Sequence, residues 1–564
     1  MSITLNPGFA LICGAAMALI MPRSVRAGVM IGWALAALAL IYVPDFGLGP
    51  AFAQIGLSIT PLRLDPLAQI FGTGFALIAL LLALFSADRE DKAEDVALMA
   101  HAGGALVAVF AGDLVSFVAG AQFSALASAA LIFRGTSAGA LGAGLRYLSW
   151  QVLAGALMTA GIGFTWASAG AIGFDRMNPL SIQGGLMLAG LVIMAGAPIA
   201  HVWVKDSLPH ASTIGMAALA AFPIKLGIYA LARGFPGEPA LLYLGAIAAL
   251  GAVPLAAMSR DVRQSAAYGI ISQAGAAIAA IGAGTPFALA SAAALAFASL
   301  FHGTLGLLAI GLACARIGSA RESALGGLAR SMPMTAILSA IAALSAIGAP
   351  GFIGFAANTI HGDALAQEDR PLVWLALIAA SAGSAFHLGG RLTYVTFFGP
   401  DRGQRPLDAQ FSAQLAMGLA AFFCIAIGVA PSWLYGLLPA QIYFHPYDWD
   451  HIVRQGEIIS FAWLALGIAI MARLFPADHG AELVELDWLL RRVAKRVLNA
   501  AGRALLAIYD GGRVRTEAAY AWAMKSAAPL MKEGDRPAAP DGAGLAWAMV
   551  VLTIAMVFLF AFQG

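Results

Sequence analysis

The chain has 564 residues, of which 60% are apolar and only 11% charged, and its mean hydropathy is +0.83. These values exclude a soluble globular protein and indicate a membrane protein with many spanning helices. A formal net charge of +2 gives no support for nucleic-acid binding. The isolated Cys13, Cys314 and Cys424 exclude a disulfide framework and a recognisable metal site, and no cofactor motif is present.

Apolar windows long enough to cross about 30 Å of hydrocarbon recur along the chain and predict about sixteen spans. An all-α polytopic membrane protein is therefore the expected fold class. The predicted spans lie at 3–21, 26–43, 66–87, 94–112, 114–134, 146–170, 181–203, 213–233, 239–258, 264–284, 286–315, 333–366, 372–398, 409–430, 457–475 and 544–562.

Two of these spans carry signals for a broken helix. The window 333–366 contains Gly348-Ala-Pro-Gly351, and Pro223 stands two residues before Lys225. Broken helices expose backbone groups, which a membrane tolerates only beside protein or a hydrated cavity, so they point to transport sites. For Pro223, an ordinary packing kink is an equally good interpretation.

The basic residues of the loops are distributed unevenly between the two sides of the predicted topology. One side receives fourteen of them and the other only Arg63, Arg176, Arg233, Arg370 and Arg454. The positive-inside rule makes the richer side cytoplasmic and the N-terminus external. The richer side carries Arg23, Arg26, Arg89, Lys92, Arg134, Arg146, Lys205, Arg260, Arg263, Arg316, Arg321, Arg330, Arg402 and Arg405.

Beyond the fifteenth span, apolar residues from Leu486 to Ile508 repeat at helical spacing among many basic residues. This pattern predicts an amphipathic helix on the cytoplasmic surface, against lipid or neighbouring subunits. A proline-rich linker at 536–540 leads to the last span.

Lys225 is the most informative polar residue inside a span. At the centre of a membrane helix a lysine costs about 2.5 to 3.5 kcal/mol, so it usually faces a hydrated path or a partner. The alternative, snorkelling towards the helix end at Arg233, is a minority interpretation. A lysine buried in this way is a candidate for exchanging protons.

The other polar residues within spans give weaker signals. His302 is equally compatible with proton transfer and with one structural hydrogen bond. His101 and His387 are more typical of structural hydrogen bonding, and Arg391 of snorkelling. His361 and Asp363 are expected to be solvated loop residues. Further polar candidates are Gln122, Tyr229, Gln273 and Asn358.

Several motifs resemble the antiporter-like membrane subunits shared by respiratory complex I and Mrp-type multisubunit sodium/proton antiporters. His201-Val-Trp-Val-Lys-Asp206 and Lys225-Leu-Gly-Ile-Tyr-Ala-Leu-Ala-Arg233 are similar to the family's HxWLPDA and KxGxYxLxR elements. Ser345-Ala-Ile-Gly-Ala-Pro350 and Phe397-Phe-Gly399 add support. Glu485-Leu-Asp-Trp-Leu-Leu-Arg-Arg492 is similar to an element of the D-type Mrp subunits and favours that branch.

The resemblance implies a core of fourteen helices with two inverted five-helix repeats, each holding a broken helix. The implied division is 1–93 for N-terminal helices, 94–236 and 237–400 for the repeats, 401–476 for C-terminal core helices, 477–541 for the surface helix and linker, and 542–564 for the final helix.

The resemblance also implies a line of ionisable relay residues, of which Lys225 and His302 are kept. The family's glutamate falls on Gln122, and its other relay positions fall on Met194, Gly306 and Asn358. Tyr229 and His387, with Gln122 and Asn358, remain candidates for a polar path. A neutral glutamine can order water but cannot hold charge, so we expect a weakened or interrupted proton route.

Three functions remain open at this point. The leading one is a non-enzymatic subunit of a cation/proton antiporter-like complex in a bacterial inner membrane, with other membrane subunits as partners, protons and sodium as candidate ions, and the lipid bilayer as surroundings. The second is a structural or assembly subunit without its own proton path. The third is an antiporter-like subunit of a proton-pumping quinone oxidoreductase or membrane hydrogenase.

Overall fold

A computed structural model describes residues 5–54, 57–198, 200–474 and 503. The expected surface helix at 482–509, apart from Arg503, the linker at 536–540 and the span at 544–562 lie outside these residues. Within the described part, eleven helices are long and apolar enough to cross a membrane. The expected polytopic all-helical fold is confirmed.

The N-terminal part contains three helices and two small antiparallel ribbons. Asn6 and Asp65 cap the first and third helices through side-chain hydrogen bonds to backbone N–H groups. Strand β1 pairs with β4, and β2 pairs with β3, in the loop before the third helix. The elements are α1 (Pro7–Ile20), α2 (Arg23–Tyr42), β1 (Gly47–Leu48), β2 (Phe52–Gln54), β3 (Leu57–Ile59), β4 (Arg63–Leu64) and α3 (Pro66–Ser86).

The next two groups of helices share one pattern, in which three long helices are followed by a broken one and then by a fifth. The first group is α4 (Lys92–Val109), α5 (Leu114–Phe133), α6 (Ala140–Ala169), the broken pair α7 (Ile182–Met194) and α8 (Val202–Ser207), and α9 (Thr213–Ala221) with α10 (Pro223–Gly234). The second group is α11 (Pro239–Met258), α12 (Val262–Ala283), α13 (Pro286–Ile317), the broken pair α14 (Pro333–Ala346) and α15 (Ile353–Ala366), and α16 (Pro371–Phe386).

The two breaks have the same backbone geometry. Gly196 and Gly348 have φ of +67° and +73°, which favours glycine, and each follows the end of a helix. The N–H of Ala197 bonds to Val192 O, and that of Ala349 bonds to Leu344 O, which is the Schellman pattern. A proline follows at the same spacing in both. The sequence Gly-Ala-Pro therefore ends the helix twice, at 196–198 and 348–350.

This finding corrects the position of the first break. We expected a continuous span at 181–203 and a possible break beside Pro223, but α7 ends at Met194 and α8 begins at Val202. Pro223 interrupts the helix only at Phe222, and 213–234 still forms one apolar span. Proline removes one N–H at that point, whereas the Gly-Ala-Pro segment reverses the backbone into the left-handed region.

Three helices complete the described part. After α16 the chain continues through two π-helical turns, at His387–Arg391 and Tyr394–Phe398. The remaining helices are α17 (Phe411–Val429), α18 (Ser432–Gly436) and α19 (Trp449–Met471). Helix α13, which has 32 residues, packs against α9, α12, α14, α15 and α17 and so lies at the centre of the bundle.

Ion pairs group the basic residues at the two ends of the bundle as the loop alternation predicts. Arg26 pairs with Asp95 at 2.7 Å and Arg330 with Asp401 at 3.2 Å at one end, which we name the basic end. At the opposite end Arg233 pairs with Asp65 at 2.8 Å.

Candidate functional site

Lys225 lies inside the protein and not against lipid. All of the span 213–234 is enclosed by other helices, and the Lys225 side chain is 2% exposed. Its Nζ donates a hydrogen bond to Ala220 O at 3.0 Å, across the interruption at Phe222. The side chain therefore turns back towards the interruption and does not snorkel to the helix end. Among the described residues, no carboxylate pairs with it.

His302 occupies the middle of α13 and contacts polar groups of two neighbouring helices. Its Nε2 lies 3.1 Å from the Gln273 side-chain amide nitrogen, and its Nδ1 lies 3.5 Å from Ser345 Oγ. With the amide donating, Nε2 accepts, and the ring proton resides on Nδ1 facing Ser345. Helix α10, which carries Lys225, contacts α13, which carries His302. The two expected relay residues therefore lie on helices that contact each other.

Two cavities meet at His302. We name the larger one, of about 110 Å³, the Arg454 cavity and the smaller one, of about 40 Å³, the Gly306 cavity. His302 and Gln273 line both. The Arg454 cavity is roomy and polar enough for several water molecules. Its polar lining is Ser272, Gln273, Ser299, His302, Asn358, Thr359, His361, Trp374, Ser381, Ser384, His451, Arg454 and Gln455.

The Gly306 cavity extends from His302 in the direction of the π-helical turns. Ser339 and Thr393 line it, and their hydroxyl groups lie 3.2 Å apart. A Cβ on Gly306 would have Ala342 Cβ at 3.5 Å as its nearest neighbour, which is ordinary contact. Glycine at this expected relay position therefore leaves the space open.

The other replaced relay positions have different surroundings. Met194 is 2% exposed in an apolar core, and the Gln122 side chain packs over Gly155 of α6. Asn358, in contrast, lines the Arg454 cavity beside the second helix break. A Cβ on Gly348 would lie 2.6 Å from Asn358 Nδ2, so the amide also covers the break.

Tyr229 joins a hydrogen-bonded network at the end opposite the basic end. Its hydroxyl donates to Val109 O and accepts from Arg233 Nε at 2.9 Å, so it acts both as a donor and as an acceptor. The Arg233 guanidinium lies 5.0 Å from the Tyr229 ring centroid. The contacts of Tyr229 hold α10 against α4; its place on a polar path stays a prediction.

Arg391 does not snorkel to the surface. Its side chain is 2% exposed and forms an ion pair with Glu322, which is equally buried. It also donates to Ala256 O at 2.7 Å and to Ser259 O at 2.6 Å. The residue therefore fastens α11 and the loop after α13 to the π-helical turn, and burial raises the pKa of Glu322 against the opposing effect of Arg391.

His387 lies on the same π-helical turn, with its Nδ1 3.4 Å from Arg391 Nη1. His101 is fully buried on α4, where its Nδ1 lies 2.8 Å from Ser124 Oγ. These contacts agree with the structural interpretation of both histidines.

His361 and Asp363 are not solvated loop residues as expected. His361 lies within α15 and lines the Arg454 cavity. Asp363 forms ion pairs with His451 and Arg454, each at 2.7 Å. The sequence interpretation failed here because α19, which is far away in the sequence, packs against α15 and pairs with Asp363.

Helix α19 supplies site residues that the sequence interpretation missed. His451, Arg454, Gln455 and Ile458 all line the Arg454 cavity. Their spacing of i, i+3, i+4 and i+7 marks one helix face, a signal that is present in the sequence. Gln455 Nε2 donates to Ile347 O at 2.6 Å and so satisfies a carbonyl at the end of α14.

In the residues that the structure describes, no cluster of three or more His, Cys, Asp or Glu side chains could hold a metal ion. The polar residues around His302 are hydroxyls, amides and imidazoles. Such a set can order water and pass protons, which is the chemistry its geometry favours.

Comparison with known proteins places this arrangement in context. Residues 111–382 match the family described as NADH:quinone oxidoreductase/Mrp antiporter, TM. The NADH-quinone oxidoreductase subunit N of Geobacter metallireducens is 27% identical over 485 residues, which cover 77% of this chain and 98% of the relative.

Two solved structures have the same fold. A chain of the Mrp complex from Dietzia sp. DQ12-45-1b superposes with a TM-score of 0.75 at 20% identity, covering 98% of this chain and 66% of that one. A chain of the membrane-bound sulfane sulfur reductase, an archaeal respiratory membrane complex, has a TM-score of 0.71 at 22% identity, with coverage of 98% and 99%. The family match, the subunit N relative and the shared fold together support an antiporter-like membrane subunit of the complex I and Mrp type.

Proposed function

We propose that the chain carries protons across a membrane through His302, with Lys225 as the neighbouring charged group. The observation that carries this proposal is the meeting of the two cavities at His302. One ring nitrogen of His302 faces Gln273 and the other faces Ser345, so the ring can take a proton on one side and release one on the other.

Lys225 supports this role through its position. It is buried without a carboxylate partner among the described residues, and its helix α10 contacts α13, which carries His302. A proton held by Lys225 disfavours one on His302, and its loss favours one, so the two groups are coupled. Because Gln122 and Met194 are neutral, the proposed proton route runs through His302 in the second group of helices, with Lys225 of the first group beside it.

The cellular setting follows from charge and from the relatives. We infer a multi-pass protein of a bacterial inner membrane with the basic end in the cytoplasm, the N-terminus outside and lipid around the bundle. Its partners are other membrane subunits, because the similar Mrp and sulfane sulfur reductase chains come from complexes. The chain is not itself an enzyme, and sodium is the candidate coupled ion.

The experiment uses the complex that contains this chain, purified by an affinity tag and reconstituted in liposomes with an internal pH dye. A potassium diffusion potential should drive proton uptake, and His302→Gln should lower the rate by roughly tenfold or more. The matched control is His445→Gln, at an exposed histidine outside the cavities. Equal rates for wild type and His302→Gln would refute the proposal, and an added sodium gradient tests coupling.

A structural or assembly role is the second candidate, favoured by the apolar burial of Met194 and the packing of Gln122 on Gly155. In that case the His302→Gln complex should transport as wild type does. Deletion of residues 481–564 should then disperse the complex on a native gel, and an intact assembly would count against this role.

A role in a redox-driven complex is the third candidate, favoured by the subunit N relative of Geobacter metallireducens. Mass spectrometry of the purified complex distinguishes it from an antiporter. Quinone-reductase or hydrogenase subunits would support the redox role, and small antiporter subunits alone would refute it.

A further inference from the structure

The Arg454 cavity continues beyond the neutral position of Asn358. Asn358 cannot take up a proton, so a route through His302 needs another titratable group nearer the end of the bundle. His361 lies three residues further along α15 and lines the same cavity. His451, on α19, lines it as well.

His361 has one ring nitrogen available for protons from the cavity. Its Nδ1 lies 3.4 Å from Ser291 Oγ. Its Nε2 is buried and has no hydrogen-bond partner among the described residues. A buried nitrogen without a partner is costly unless water or a transferred proton satisfies it. Because the cavity passes this side chain, water there can supply both.

His451 has both ring nitrogens directed at acceptors. Nε2 lies 2.7 Å from Asp363 Oδ2, and Nδ1 lies 3.2 Å from the carbonyl oxygen of His445. Only the doubly protonated ring donates to both, and the neutral ring loses one of the two hydrogen bonds. Arg454 also pairs with Asp363, so the same carboxylate contacts both the His451 ring and the Arg454 guanidinium. The His451 side chain is 12% exposed, which places it between cavity and exterior.

We propose that His361 and His451 form a proton port that replaces the neutral Asn358 at the Arg454 end of the route. This inference rests on the proposed function of His302. A proton released by His302 passes through cavity water and forms an N–H bond at His361 Nε2. The resulting imidazolium returns a proton to water, and water passes it to a neutral His451. His451 then releases one to the exterior, so each ring returns to its starting state.

The port gives α19 a function beyond packing. This helix holds His451 and Arg454 against Asp363, and it also donates from Gln455 to the end of α14. The proton port and the second helix break are therefore joined by the same helix face. Movement of α14 relative to α15 would therefore be transmitted through α19 to His451 and Arg454.

The test uses the reconstituted complex and the same dye assay. His361→Gln and His451→Gln should each lower proton uptake, and the double variant should reach the level of His302→Gln, roughly a tenfold loss or more. His445→Gln is the matched control, because His445 accepts from His451 through its backbone carbonyl, which the substitution keeps. Melting temperatures of all variants exclude unfolding as the cause.

A rescue variant separates proton transfer from a structural role. Asn358→Glu in the double-variant background returns a titratable group to the cavity and should restore uptake, which repair of packing would not do. Uptake that depends on His302 but is unchanged in the double variant would overturn the port and leave the proposed function intact. Uptake that does not depend on His302 would overturn the proposed function itself.

Discussion

Arg233 holds Asp65 by two parallel hydrogen bonds, each 2.8 Å long, at the end of the bundle opposite the basic end. Asp65 also caps α3 by accepting from Ala68 N at 2.9 Å. One carboxylate thus joins α10, which carries Lys225, to α3. Burial alone would raise the pKa of Asp65, but the hydrogen bonds and charge of Arg233 outweigh burial and hold the pKa below its usual value.

This pair gives a prediction for stability and pH. Asp65→Asn should destabilise the protein at neutral pH by about 2 kcal/mol, since it weakens hydrogen bonds to a charged group. Because the folded pKa is lowered, the stabilisation is present above the unfolded value of about 3.9 and is lost as pH falls through the folded pKa. Melting temperatures at neutral and acidic pH measure both effects.

The control for this pair is Asp369→Asn, at an exposed position. The Asp65→Asn protein should also lose less stability on acidification than wild type does. A melting temperature that falls equally with pH in both proteins would contradict the assigned role of Asp65.

The Gly306 cavity predicts that a larger side chain will block transport without unfolding the protein. Gly306→Leu has space for its Cβ and should fill the cavity of about 40 Å³, breaking the line of water to His302. Proton uptake should fall to the level of His302→Gln. The melting temperature should be unchanged or higher, because filling a cavity adds contacts.

The matched control is Gly418→Leu on α17, where a Cβ would meet no atom of the other described helices within 4 Å. It should leave uptake unchanged. Normal uptake by Gly306→Leu with an intact fold would show that protons do not use this cavity.

Replacing Lys225 with an apolar residue should have opposite effects on stability and on transport. Lys225→Met removes a buried charge that has no carboxylate partner among the described residues, and it should stabilise the protein by up to about 3 kcal/mol. The same change should lower proton uptake, because it removes the charged group on the helix that contacts the His302 helix. Melting temperature and liposome uptake are measured on one preparation.

Lys225→Arg serves as the control that keeps the charge but cannot release its proton. It should lower uptake without the gain in stability. A Lys225→Met protein that is less stable and transports normally would assign the lysine a structural role.

The predicted topology can be tested by labelling in intact cells. Tyr443 is exposed between α18 and α19. The Tyr443→Cys variant should react with a membrane-impermeant maleimide. Arg402 is exposed in the loop after the π-helical turns, at the basic end, and Arg402→Cys should react only after the membrane is opened. The reverse pattern would place the basic end outside.

Much of the architecture follows from local sequence. The predicted windows agree with the helices, for example 66–87 with α3 and 239–258 with α11, because length and hydropathy suffice to specify a membrane helix. The break at 348–351 is visible in the sequence because glycine and proline end helices locally. The equivalent Gly-Ala-Pro at 196–198 carries the same signal, but the sequence interpretation considered only Pro223, as either a break or an ordinary packing kink, in the first group of helices.

The sequence by itself determined the membrane class, the positions of most spans, the uneven distribution of charge and the singular position of Lys225. These properties depend on composition and on neighbours along the chain. Only the tertiary structure decided that Arg391 pairs with Glu322 and that His361 and His451 share a cavity with His302. Hydropathy shows whether a segment is apolar enough to lie in a membrane. Contacts between helices that are far apart in the sequence depend on how the whole bundle packs.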